Sequence, residues 1–180
     1  MFELLFPFFL IVLFFLFFAI IWRNNARKYI SSGTVASAYD AWTQDKLLER
    51  LWGEHIHLGF YPSGKKNIDF RKAKVQFVHE LVKWSGLDKL PQGSRILDVG
   101  CGIGGSSRIL AEYYGFNVTG ITISQAQVKR ARELTPHGLN CNFQVMDALD
   151  LKFEDGSFDA VWSVEAGAHM NDKTRFADEM

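Results

Sequence analysis

The hydrophobic pattern of this chain begins with an unbroken apolar run. Residues Leu4 to Trp22 carry no charged side chain, and as an α-helix of about 19 residues they would span the hydrocarbon core of a bilayer, which is about 30 Å thick. A cleaved secretory signal is disfavoured, because no basic segment precedes the run and no small-residue cleavage site follows it. Arg23, Arg27 and Lys28 follow directly. By the positive-inside rule, residues 1–22 are predicted to be a single-pass transmembrane anchor, with the remaining chain on the cytoplasmic side.

From residue 35 the pattern changes to helical spacing. Apolar residues recur over 35–51 as in an amphipathic helix, and a second helix is predicted from Asp69 to Trp84, with Gly86 ending it. Between these helices, residues 52–62 mix aromatic, histidine and glycine residues too irregularly for a core element, which predicts a loop or lid over a ligand. Residues 23–90 are therefore predicted to be a linker and a helical lid region on the substrate side.

Beyond residue 90, short runs rich in β-branched residues alternate with helical patterns. Strands are predicted over residues 96–99, 117–123, 142–146 and 158–164. This alternation is typical of an α/β fold with a doubly wound parallel sheet, whose ligand crevice lies at the carboxyl ends of the strands. We therefore predict one ligand-binding domain over residues 91–180.

The first predicted strand leads into a glycine-rich turn. Between Asp98 and the next predicted helix stand three alternate glycines, Gly100, Gly102 and Gly104. Glycines remove the side chains that would keep a ligand from backbone N–H groups, so an anionic group can sit at the helix N-terminus. We expect Ser106 and Ser107 to satisfy unpaired N–H groups as this helix begins.

Gly100, Gly102 and Gly105 also fit the G-x-G-x-x-G pattern of dinucleotide-binding proteins. Such a site requires an acidic residue for the ribose at the end of the second strand, but Thr122 occupies that position. Asp98, before the first glycine, offers a carboxylate to a cationic ammonium group. Asp147, at the end of the third strand, offers an acceptor to an adenine amino group. The bare glycine pattern is therefore weak support for a dinucleotide.

The composition excludes some partners. The chain has 20 basic and 20 acidic residues and a formal net charge of zero, so no nucleic-acid partner is expected. Cys101 and Cys141 fit neither a disulfide framework nor a zinc site and are predicted to be reduced thiols. We interpret His55 and His57 as hydrogen-bonding or capping imidazoles and expect no metal site, because the sequence offers no third ligand.

Three separated motifs resemble those of the S-adenosylmethionine-dependent methyltransferases of the Rossmann-like class: Asp98–Gly104, Asp147-Ala148 and Phe158–Ser163. The resemblance implies S-adenosylmethionine as the cofactor. It places Asp98 and the glycines at the methionine part of that cofactor, and Asp147 and Ala148 at its adenine.

At the ribose position the chain departs from the acid that the class usually has. The run Gly120–Ser124, followed by Gln127, is similar to the branch that contains cyclopropane-fatty-acid synthases and sterol methyltransferases. This resemblance implies that the ribose is bound by side chains of this stretch, with Thr122, Ile123 and Gln127 as the candidates.

Further motifs resemble the tocopherol and plastoquinone methyltransferases: Ser37–Asp40, Trp52–Gly59, Cys101–Ser107 and Trp162–Met170. The resemblance implies methyl transfer to a ring carbon of a prenylated hydroquinone, such as 2-methyl-6-phytyl- or 2-methyl-6-solanesyl-1,4-hydroquinone. It also implies a photosynthetic membrane, with the catalytic domain on its cytoplasmic or stromal side. γ-Tocopherol, sterols and other lipids are alternative acceptors.

A lipid-soluble substrate would explain the predicted anchor, because an enzyme at the membrane surface meets such a substrate there. His169, just beyond the fourth strand, is the candidate base for a phenol proton, with Glu165 orienting it or the substrate hydroxyl. A helix-capping histidine and a structural carboxylate are the alternative interpretation. His57 and Tyr39 are weaker candidates for lining the substrate pocket.

A predicted helix from Asp172 reaches Met180, whereas related methyltransferases continue with further strands. The resemblance therefore implies a C-terminally truncated sheet, and we expect the 180-residue chain to be poorly active or unstable by itself. Two functions of other classes stay open: a membrane-anchored NAD-type oxidoreductase, which Thr122 disfavours, and a noncatalytic binding module. Calorimetry with both cofactors would separate the first from a methyltransferase.

Overall fold

A computed structural model describes residues 12, 14–17, 32–63 and 67–180 of the chain. Contacts divide the chain into two units, Met1–Thr34 and Val35–Met180, and the fold described below belongs to the second. Nearly all of the predicted anchor lies outside the described residues. Within them, no helix has both the length and the apolar character needed to cross a bilayer.

Within residues 32–85, the structure describes the helices α1 (Ser32–Gln44), α2 (Leu47–Trp52) and α3 (Phe70–Ser85) before the sheet. The single amphipathic helix predicted over 35–51 is therefore wrong. The helix is interrupted at Lys46, whose backbone is left-handed with φ 55°. Beside it, the Asp45 carboxylate accepts a hydrogen bond from the N–H of Leu47. The second predicted helix is confirmed, with Asp69 as its N-cap.

The sheet contains β1 (Arg95–Val99), β2 (Asn117–Thr122), β3 (Cys141–Val145) and β4 (Ala160–Trp162), in the order β3-β2-β1-β4 and all parallel. The helices of this half are α4 (Gly105–Tyr114), α5 (Gln125–Leu134) and α6 (Lys173–Glu179). The predicted parallel α/β architecture is confirmed. β1 lies between β2 and β4. The glycine turn that follows β1 therefore lies near the middle of the edge formed by the carboxyl ends of the strands.

β4 is shorter than the predicted 158–164. Its register with β1 runs only from Ile96 opposite Ala160 to Asp98 opposite Trp162. Beyond it, the Ser163 hydroxyl donates to the carbonyl of Val99 at 3.0 Å. This side-chain contact lies where the ladder between β1 and β4 ends.

The core lies on both faces of β1. Ile96 packs with Val78 and Val82 of α3 and with Leu110 of α4, whereas Leu97 packs with Ile121 and Ala148 in a separate cluster. Burial on both faces explains why the strand reads as a continuous apolar run. Cys101 and Cys141 are both free, as predicted, and burial raises the pKa of each thiol.

Candidate functional site

The glycine turn combines close packing with one open position. An added Cβ on Gly100 would lie 2.4 Å from the Cβ of Ala166, and one on Gly104 would lie 2.6 Å from Cζ of Phe143. Gly102, with φ +56°, has nothing within 4 Å of the same position. Gly100 and Gly104 are therefore required for packing, while Gly102 borders the space that a ligand would enter.

Asp98 lies beneath this turn and is only 2 % exposed. Ser107 Oγ donates a 2.5 Å hydrogen bond to Asp98 Oδ2. The expected capping by Ser107 is wrong, because its hydroxyl turns to this carboxylate and α4 begins after a left-handed Gly104 with no side-chain cap. Burial raises the pKa of Asp98 to about 6, so a cationic ligand group beside it would favour the ionised form.

The structure brings together the residues predicted for a ribose at the end of β2. Thr122 Oγ1 lies 2.7 Å from Gln127 Oε1 and donates to it, and both side chains are buried. Ile123 follows the last residue of the strand and is half-buried. Ser124 caps α5, with its Oγ accepting from the N–H of Gln127 at 3.1 Å.

One acid at this corner was not predicted to have a role. Asp40 of α1 reaches the first turn of α5, where its Oδ1 accepts from Ser124 Oγ at 2.5 Å and from Ala126 N at 3.0 Å. The residues are 84 and 86 positions apart, so no local periodicity connects them. The only signal in the sequence is the Tyr39-Asp40 pair within the motif Ser37–Asp40.

On the other side of β2, the adenine candidates occupy different environments. β3 ends at Val145, so Asp147 lies two residues beyond the strand that it was predicted to close. Its Oδ1 accepts from the N–H of Leu149 at 2.9 Å, which fixes the carboxylate in a local turn. Ala148 is buried in the cluster with Leu97 and Ile121, so its backbone is the part of this residue that a ligand could reach.

The candidate acceptor side lies beyond β4. Tyr39 Oη is 2.9 Å from Nε2 of His169, and the two rings meet edge to face. Glu165 Oε1 accepts instead from the N–H of Leu58 at 3.0 Å. Glu165 also has a left-handed backbone, φ 57°, which a non-glycine residue adopts at an energetic cost and which is common at functional sites. The sequence predicts that Glu165 orients His169 or the substrate hydroxyl. In the structure, Tyr39 contacts His169.

The segment 53–61 is held against the glycine turn and α3. His57 Nδ1 contacts the carbonyl of Leu58, which can only accept, so Nδ1 carries the proton and Nε2 accepts from His55 Nδ1 at 3.1 Å. Burial lowers the pKa of both imidazoles, that of His55 to about 3. The interpretation as hydrogen-bonding imidazoles is confirmed. Over the described part of the chain, no three His, Cys, Asp or Glu side chains converge as a metal site would require.

A narrow cleft connects these parts. Tyr39 and Trp42 of α1, Ile103 of the glycine turn and Gln127 of α5 line it. A ligand in this cleft would touch residues of the turn, the ribose corner and the helix that contacts His169. The cleft thus lies next to the glycine turn and the ribose corner.

Comparison with known proteins agrees with this arrangement. A family model described as a methyltransferase domain matches residues 96–180. The chain is 62 % identical over 156 residues to 2-methyl-6-phytyl-1,4-hydroquinone methyltransferase of Synechocystis, covering 87 % of this chain and 49 % of that protein. It is 42 % identical over 144 residues to the chloroplastic tocopherol O-methyltransferase of Arabidopsis thaliana, covering 74 % and 41 %.

Among solved structures, a putative sarcosine dimethylglycine methyltransferase from Galdieria sulphuraria superposes with a TM-score of 0.70 at 29 % identity. The match covers 78 % of this chain and 54 % of that one. The chain thus spans about half the length of the curated relatives it matches.

Proposed function

Because this chain belongs to the Rossmann-like S-adenosylmethionine-dependent methyltransferases, we propose that the protein moves a methyl group from S-adenosylmethionine to a ring carbon of a prenylated hydroquinone. The observation that carries the proposal is the convergence at one sheet edge of the open Gly102, the buried Asp98 and the Tyr39–His169 pair. The 62 % identical hydroquinone methyltransferase supports 2-methyl-6-phytyl-1,4-hydroquinone as the acceptor.

The residues at the edge fit the donor. Asp98 would hold its ammonium group, and the open side of Gly102 leaves room for the methionine part. Thr122 and Gln127 would face the ribose, and Asp147 the adenine amino group. When bound, S-adenosylmethionine would supply an electrophilic methyl group. The electron pair of the broken C–S bond would stay on sulfur, and the methylated ring carbon would then lose its own proton, which restores the aromatic ring.

His169 is the proposed base for the acceptor phenol. Removing the phenol proton makes the neighbouring ring carbon more nucleophilic, so a base within reach of the cleft accelerates transfer. Tyr39 is suited to hold this imidazole, because its hydroxyl oxygen can accept from Nε2–H of His169, which leaves Nδ1 unprotonated and able to take the phenol proton. Burial raises the pKa of the Tyr39 hydroxyl, which stays neutral. Glu165, fixed by Leu58 N–H, would contact the acceptor hydroxyl from the other side.

A prenylated hydroquinone dissolves in lipid, and the enzyme would therefore work at a membrane. We propose that residues 4–22 anchor it, because this run is uncharged and long enough to cross a bilayer as a helix. The basic residues after the run favour a cytoplasmic or stromal catalytic domain, and the acceptor favours a photosynthetic membrane. Carbonate extraction of membranes that hold the protein should leave it in the pellet; release into the supernatant would contradict the anchor.

The enzymatic proposal is tested with membranes from cells that express the complete gene. They are incubated with methyl-labelled S-adenosylmethionine and either 2-methyl-6-phytylhydroquinone or γ-tocopherol, the second because a tocopherol methyltransferase is 42 % identical. We expect labelled product chiefly from the hydroquinone. If the protein binds S-adenosylmethionine but labels neither acceptor, it acts as a binding module. If it binds NAD in preference to S-adenosylmethionine, the proposed donor is rejected.

The base is tested with His169→Ala. We expect turnover about 10²-fold lower and an unchanged dissociation constant for the donor. His137→Ala, which removes an exposed imidazole between α5 and β3, is the control and should retain activity. Near-normal turnover of His169→Ala would remove the catalytic role.

A further inference from the structure

Asp40 gives α5 a cap that comes from a remote helix. An N-terminal carboxylate normally belongs to the residue just before the helix, as with Asp69, which accepts from Arg71 N and Lys72 N at the start of α3. At α5 the local cap is Ser124, and its hydroxyl is in turn bound by Asp40. The carboxylate also lies at the positive end of the helix dipole. This contact therefore docks α1 onto the ribose corner.

The neighbouring residue docks the same helix on the opposite side. Tyr39 reaches His169, which follows β4, whereas Asp40 reaches the start of α5, which follows β2. β1 lies between β2 and β4 in the sheet. Two adjacent residues can reach both neighbours of β1 only if α1 passes over the carboxyl end of β1, beside the glycine turn.

On this geometry, and resting on the proposed function, we infer that Asp40 and Tyr39 are positioning residues that fasten α1 as a strap across the donor crevice. The cleft lined by Tyr39, Ile103 and Gln127 lies between this helix, the glycine turn and α5. A donor seated between the glycine turn and the ribose corner is then enclosed by α1. Donor entry and release of the demethylated product require at least one fastening to open.

The two contacts of the strap are expected to affect the rate at which a bound nucleoside dissociates. A fastened strap slows the escape of a bound nucleoside, so loosening the strap raises the dissociation rate constant. Loss of an N-cap changes an equilibrium by about 2- to 30-fold, which sets the scale for Asp40→Ala. Asp40→Asn keeps an acceptor oxygen for Ala126 N–H but removes the charge, so a smaller effect is expected.

The experiment measures dissociation of S-adenosylhomocysteine by stopped flow in the protein expressed from its complete gene. Each variant has a matched control away from the crevice. Asp69→Ala removes the comparable carboxylate cap of α3, and Tyr114→Phe removes a comparable hydroxyl–imidazole contact, 2.8 Å from Tyr114 Oη to His79 Nδ1. Thermal unfolding of the wild type and of every variant gives the general loss of stability.

We expect Asp40→Ala and Tyr39→Phe to raise the dissociation rate about 5- to 30-fold, while both controls stay within twofold of the wild type. If dissociation is accelerated equally in a variant and its control, the effect is a general loss of stability and the inference is overturned. A wild-type dissociation rate in both Asp40→Ala and Tyr39→Phe would also overturn it. If Asp40→Ala does not fold, Asp40→Asn and Tyr39→Phe decide by the same criterion. Failure of the wild-type protein to bind S-adenosylhomocysteine would instead reject the proposed function.

Discussion

Arg108 of α4 and Glu54 of the preceding segment form a 2.5 Å ion pair across 54 positions of sequence. The Arg108 side chain is 9 % exposed and the Glu54 side chain 46 %. The same guanidinium donates to the carbonyl of Ile103 at 2.8 Å. One buried cation thus joins the segment 53–61 to the glycine turn.

Glu54→Ala leaves this cation buried without its carboxylate. We expect the free energy of unfolding to fall by about 1–3 kcal/mol, less than for a fully buried pair because Glu54 is half exposed. Glu80→Ala, which breaks the exposed 3.8 Å pair with Lys83, should cost less than about 0.5 kcal/mol. Urea denaturation of both variants checks the difference; equal losses would show that the Arg108 pair does not hold the segment.

A second prediction concerns the cost of keeping Asp98 buried. The pKa of Asp98 is raised above its unfolded value of 3.8 to about 6, so its contribution to stability is fully present below pH 3.8 and is lost as the pH rises through 6. The loss at neutral pH is on the order of 3 kcal/mol. Asp98→Asn should therefore stabilise the donor-free protein at pH 7.5 and about half as much at pH 5, as measured by denaturation at the two pH values.

The same substitution should weaken donor binding by about tenfold or more, because the ammonium group loses a charged partner. In the wild type, donor affinity should rise from pH 5 to pH 7, and binding near pH 6 should release a proton. Calorimetry in buffers of different ionisation enthalpy measures that proton. Proton release that persists in Asp98→Asn would assign it to another group.

Local patterns were enough to predict the parts of the site that lie on one strand and its turn. The apolar run of β1 and the alternate glycines each involve residues a few positions apart. Their conformations follow from backbone sterics and burial, and the structure confirms them. The parallel direction of the strands follows from the alternation of elements.

The contacts that complete the site join residues far apart in sequence. Tyr39 and His169 are 130 positions apart, and Asp40 and Ser124 are 84 apart. Such pairs depend on how α1 docks, which no periodicity encodes. Ser107 was predicted wrongly for a related reason, since a hydroxyl at a helix start can serve either the backbone or a buried carboxylate, and here burial of Asp98 decides.

A third prediction follows from the buried imidazoles. The pKa of His55 is lowered to about 3 by burial, so its stabilising contribution is present above the unfolded value of 6.5 and is lost as the pH falls from 6.5 towards 3. Replacing it with an uncharged residue, His55→Asn, should lower stability at pH 7.5 but flatten the loss on acidification. His137→Asn, at an exposed imidazole, should leave the slope unchanged.

The slope of unfolding free energy between pH 7 and pH 5 provides the comparison. His57 and His79 also have pKa values lowered by burial, so the wild-type slope contains their contributions and only the difference between proteins reports on His55. An identical slope in wild type and His55→Asn would mean that protonation of this imidazole is not linked to unfolding.

A final prediction separates packing from ligand space at the glycine turn. Gly102 and Gly156 both have positive φ, +56° and +72°, and neither would place an added Cβ within 4 Å of another atom. Alanine should therefore cost each site about 1–2 kcal/mol of backbone strain and nothing in steric overlap. Only Gly102→Ala inserts a methyl group where the donor would lie, so we expect its donor affinity to fall at least about tenfold while Gly156→Ala keeps the wild-type value. Titration calorimetry compares the donor affinities of the two variants under conditions in which the same fraction of each is folded. Equal donor affinities would place the ligand away from this turn.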